Sequence, residues 1–198
     1  MQNKELTTIT AEEPSTALSI SNFDHAQRVA KALSASTMIP AGYQNNIPNT
    51  LVALEMAHRI GASPLMVMQN LHIIHGRPSW SSSFIIAALN SCGRFSALNF
   101  ETSADGKSCT AVATEIATGS VIKGPTVSLE MANAEGWATK AGSKWRTMPE
   151  LMLRYRAAAF FGRLYAPEIL MGMQTAEEVA DIASTDAKTK VADLNAKL

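Results

Sequence analysis

Cysteine is scarce in this chain. Cys92 and Cys109 are the only two in 198 residues, too few for a disulfide framework or a zinc site, and they suit small core positions in a reduced, cytosolic protein. No apolar run approaches the roughly 20 residues that a membrane-spanning helix needs. The opening residues, MQNKELTTITAEEPST, are polar and acidic and do not read as a secretory signal. Net charge is missing as well: 17 basic residues stand against 17 acidic ones, which excludes a protein coated in positive charge. It leaves open a binder of polyanions whose cations are gathered locally.

Signs of catalysis are equally thin. There is no GxxxxGK[ST] phosphate loop, no nucleophile motif and no paired-carboxylate pattern. His58, His72, His75, Asp105, Glu115 and Glu135 are the residues that could supply metal or acid–base chemistry. The two histidines of HIIH stand at i and i+3, which on a strand points them to opposite faces. The reading is therefore of a non-enzymatic protein without a cofactor.

What is present is 46% apolar residues, enough for a sizeable core, ordered in a mixed pattern. Residues 1–22, rich in Thr, Ser and Glu, read as a mobile arm. From 23 onward Phe23, Ala26, Val29, Ala30 and Leu33 share one helical face, with Ser21 or Asn22 as N-cap. TMIPAGYQNNIPNT reads as a loop. A helix capped by Asn49 or Thr50 follows and stops at Gly61, and Ser63-Pro64 opens a short one. LHIIHGRPSW turns as a β-hairpin near Gly76, and SSSFIIAALNSCG is a serine-capped helix, with Trp80 at its start as a core residue. Residues 94–130 read as three antiparallel strands in a meander, turning at ADGK and ATGS. A long helix begins at Pro149 and runs to about Tyr165, ahead of Pro167. A frayed helix over roughly 175–183 closes the ordered part. The class is α+β, with a core over 23–180 and a flexible tail over 181–198.

Charge is concentrated in residues 140–167, KAGSKWRTMPELMLRYRAAAFFGRLYAP, where six cations face one acid, Glu150. On the long helix Met152, Arg156, Phe160 and Arg163 fall on one stripe, and Arg154, Ala158, Phe161 and Tyr165 on roughly the opposite one. Arg156 and Arg163 lie two turns apart, about 10 Å along the axis, a reach that suits neighbouring phosphates or two partner carboxylates. A buried arginine needs an anion. Internal acids such as Glu55, Glu130 or Glu135 could supply it. For the set as a whole, the surplus of cations and the basic KAGSKW loop point instead to a nucleic-acid backbone, with Trp145, between Lys144 and Arg146, placed to stack a base.

The run Trp145, Pro149, Arg154, Arg156, Ala157, Arg163, Pro167, Glu177 and Glu178 resembles the C-terminal signature of the RecT family of phage single-strand annealing proteins. The segment ALEMAHRIGASPLMVMQNLHIIHGRPSWSSSFIIAALNSCGRF looks like the same family's helix, hairpin and helix, so the resemblance spans about 46–180. It implies a fold with an antiparallel sheet or hairpin against a long helix. It also implies ATP-independent coating of single-stranded DNA and pairing with a complementary strand to give annealed duplex. Rings or helical filaments of the protein in the cytoplasm of a bacterial host would do this. On that basis the expected DNA contacts are Arg77, Arg94, Lys107, Lys123, Lys140, Lys144, Trp145, Arg146, Arg154, Arg156 and Arg163. A 5′→3′ exonuclease and the host single-strand binding protein would be partners. Two features depart from the family: Ser82 and Ser83 stand where many members carry a lysine, and only about 20 residues follow the AEE motif. The competing reading is a protein-interaction or structural module whose basic helix docks an acidic partner.

Overall fold

In the computed structural model, residues 22–74 and 76–181 are described. The arm read over 1–22 and the tail read over 181–198 lie outside that range, apart from Asn22 and Asp181, and so does His75. The architecture is α+β. The single core expected over 23–180 divides into two compact units, meeting in sequence at Gln69 and Asn70.

The first unit is built on α1 (Phe23–Ser34) and α2 (Ile47–Ile60), which pack together. Asn22 caps α1 by accepting from the His25 amide at 2.8 Å. Helix α2 starts earlier than the sequence suggested: Asn46, not Asn49 or Thr50, is the cap, and Pro48 sits inside the first turn, where its missing N–H costs nothing. Gly61 ends α2 in the left-handed region at φ 64°, a conformation that glycine alone adopts without a Cβ penalty. The intervening loop is tied down: Asn45 donates to the Ser34 carbonyl and Asn49 to that of Gly42. Tyr43 is buried within it, and burial pushes its phenol up to about 12. Helix α3 (Pro64–Asn70) carries the chain across the division.

The second unit opens with a hairpin, β1 (Leu71–Ile74) and β2 (Arg77–Trp80), in register Leu71↔Trp80 to Ile74↔Arg77. Trp80 closes β2 instead of opening a helix, and it is fully buried as expected. Its backbone N–H donates to the Gln174 carbonyl at 3.1 Å, which brings residues 174–175 alongside β2. Helix α4 (Ser82–Ser91) follows, capped by Ser81. The expected meander is present as β3 (Asn99–Thr102), β4 (Ser108–Thr114) and β5 (Val121–Ser128), antiparallel in the order β3-β4-β5. Two short helices, α5 (Leu129–Ala134) and α6 (Lys144–Thr147), were not anticipated.

Helix α7 (Pro149–Tyr165) is the spine of this unit and packs against β4, β5 and α4. Phe161 meets Phe95 edge to face and lies against Gly124, and Tyr165 donates to the Lys123 carbonyl. At Gly162 the helix comes so close to Leu89 and Leu170 that an added Cβ would stand 3.0–3.2 Å from their methyls. Helix α8 (Pro167–Leu170) then leads to a last helix, α9, over residues 176–181. This closing helix is not frayed within its described residues: Glu178, Val179 and Asp181 are all buried.

Candidate nucleic-acid interface

The two stripes read on α7 face different neighbours. Arg154 reaches Glu150 and the ring of Phe100. On the other side Arg156 and Arg163 meet α9.

Arg156 is only 5% exposed. Its Nη2 donates to Asp181 Oδ2 at 2.6 Å, and its Nη1 lies 3.7 Å from Glu178 Oε1. The guanidinium carbon sits 3.8 Å from the centroid of the Trp137 ring and 5.6 Å from that of Trp145. Asp181 serves two further donors, Trp145 Nε1 at 3.0 Å and Lys140 Nζ at 2.7 Å. Burial pulls the guanidinium's proton affinity down, and Glu178 and Asp181 offset it. Desolvating this charge is expensive, and the carboxylates together with the cation–π faces make it tolerable.

This cage corrects several expectations. Residues 140–145 are no flexible loop: Ser143 caps α6 and donates to the Trp137 carbonyl at 2.6 Å. Trp145 is 3% exposed, with its ring turned into the cage, so it offers no face to a base. Arg156 has its charge matched internally, and Lys140 is held on Asp181 and the Ala180 carbonyl. The acids responsible are Glu178 and Asp181, not Glu55, Glu130 or Glu135. Both lie C-terminal to α7 and return to it through the fold.

Glu178 is the second node. Thr175 Oγ1 accepts from the Glu178 amide, and the Glu178 carboxylate accepts from the Thr175 amide, a reciprocal capping box that secures the start of α9. The same carboxylate receives Arg163 Nη2 at 2.6 and 2.8 Å. Glu177 accepts from Ser82 Oγ at 2.7 Å, which occupies that hydroxyl at the start of α4. Asp181 and Trp137 are absent from the site residues expected above. The T-x-x-E spacing at 175–178 is the local signal for the first turn of α9, in line with the helix expected from about 175.

The remaining cations lie on the surface. Arg94 contacts Glu168 and Glu115, Lys123 contacts Glu101, and Lys107 lies 3.7 Å from Asp105. Solvent screens such exposed pairs, which hold their partners only weakly. Arg77, Lys144 and Arg146 are exposed and have no ion pair among the described residues. Among those residues, too, no group of three or more His, Cys, Asp or Glu could hold a metal ion, and no helix is long and apolar enough to cross a membrane.

No family model and no curated protein matches this chain.

Proposed function

We propose that this protein binds single-stranded DNA through its phosphate backbone and anneals complementary strands without ATP, acting as an oligomer of the RecT type. The observation that carries the reading is the α6 turn. Lys144 and Arg146 stand in solvent without acid partners among the described residues, on either side of a buried Trp145 that Asp181 anchors. Cations buried among carboxylates of their own chain, as Arg156 is, gain little from a phosphate. Unmatched ones on a fixed backbone release the polymer's counterions when they bind it. Arg77 on β2 is a third of this kind. With three such contacts, log affinity for a single strand falls with log salt with a slope of about −2.

Base pairing itself drives annealing. The protein lowers the repulsion between two strands by holding their phosphates while leaving the bases outward. The competing module would need α7's cations for an outside partner, whereas Arg156 is buried against the acids of α9.

The test mixes purified protein with a labelled oligonucleotide, then adds the complement without ATP at low and moderate salt. A salt-sensitive complex that converts to duplex faster than naked DNA supports the proposal. A folded protein with no affinity for the strand overturns it, and the interaction-module reading then takes its place.

A further inference from the structure

Arg77 and Arg163 line one groove of about 480 Å³, together with Ser79, Gly172 and Gln174. No acidic side chain among the described residues lines it. Arg163 is 42% exposed along its side chain. It spends only Nη2 on Glu178, and its guanidinium lies 5.5 Å from the centre of the Phe160 ring. Glu178 cannot follow a moving partner. Its backbone and carboxylate are both fixed by Thr175, and it is 2% exposed. One nitrogen of Arg163 is thus tethered to Glu178, while the side chain lines the groove together with Arg77.

From this geometry we infer that Glu178 is a positioning residue, presenting Arg163 to a phosphodiester backbone lying in the groove that Arg77 also lines. This rests on the single-strand reading above and adds to it the path of the strand. A long arginine that is ordered in advance loses less freedom when it captures a phosphate.

The sign of one substitution separates positioning from plain electrostatics. Glu178→Gln keeps a residue that a capping box accepts at this position and removes one negative charge beside the groove. As a mere counter-charge, Glu178 would oppose the polyanion, and its loss would tighten binding. As a positioner, its loss weakens binding of a fluorescent oligothymidylate about two- to tenfold, the worth of immobilising one side chain. The same substitution made in an Arg163→Ala background then has no further effect. Arg163→Lys provides a second variant should Glu178→Gln melt early: the charge is kept, but the planar fork that holds a carboxylate on one edge and a phosphate on another is lost, so affinity falls. Arg77→Ala weakens binding independently.

Wild-type affinity in a folded Glu178→Gln or Arg163→Lys protein, or tighter binding, overturns the positioning role and leaves the single-strand reading intact. Wild-type affinity in Arg77→Ala places the strand elsewhere and overturns the groove. Absence of any binding by the unsubstituted protein removes the ligand class, and the inference with it.

Discussion

Arg156 and Asp181 are separated by 25 residues in sequence and by 2.6 Å in space. The basic helix therefore finds its acidic counterpart within its own chain. That pairing turns what reads as a patch of excess charge into the centre of a packed unit, with Trp137, Trp145, Lys140 and Glu178 arranged about it.

Asp181→Ala leaves the Arg156 guanidinium buried, with only the more distant Glu178 as partner. Removing one member of a buried ion pair costs about 3–5 kcal/mol. Urea unfolding should show a loss of that order, and a change below about 1 kcal/mol would mean that the cage relaxes without penalty.

Lys144→Ala and Arg146→Ala touch no internal partner among the described residues, so melting temperature should stay close to that of the parent. Each should flatten the salt dependence of single-strand binding by about 0.7 in the log–log slope. Arg154→Ala, already matched by Glu150, should change the slope less. Equal effects from all three would remove the distinction between paired and unpaired cations.

The protein's three tryptophans, Trp80, Trp137 and Trp145, are each at most 8% exposed. Saturating oligonucleotide should leave their emission and its acrylamide quenching nearly unchanged. Strong quenching on binding would restore the base-stacking role first read for Trp145, since a base on an indole face requires that face to be open.

Burial of Tyr43 makes the first unit's stability depend on alkaline pH. Its phenol is raised by burial to about 12 in the folded chain, against about 10 when unfolded. The neutral form is the one the fold favours. Its stabilising contribution is complete below pH 10, declines as pH rises beyond it, and is gone above the folded value. Tyr43→Phe should remove that component from the alkaline decline seen by circular dichroism.

The elements were legible in the sequence wherever local chemistry decides them. Asn22, Gly61, Ser81 and Pro149 mark helix ends by rules that act within a turn, and the meander follows from alternation and turn residues. The opposed stripes of α7 were also readable, because helical periodicity alone separates Arg154 from Arg156 and Arg163. Partnership was not. Whether Arg156 meets a phosphate or a carboxylate depends on where residues 178 and 181 come to rest, and no local count contains that. Trp145 failed for the same reason: flanking cations suggest an exposed ring, whereas the Asp181 carboxylate draws its indole N–H inward. The α6 turn was hidden by its four-residue length and by glycines and serines around it.

The Arg156 cage also sets an order of events during synthesis. Chains emerge N-terminus first, so α7 leaves the ribosome before either acid that neutralises its buried arginine. Until residue 178 is made, the cage has its aromatic walls and its cation but no carboxylate, and its closer acid, Asp181, comes three residues later still. The unit beginning at Asn70 therefore acquires its final packing only once residue 181 has been translated, whereas the helices of the first unit can pair long before.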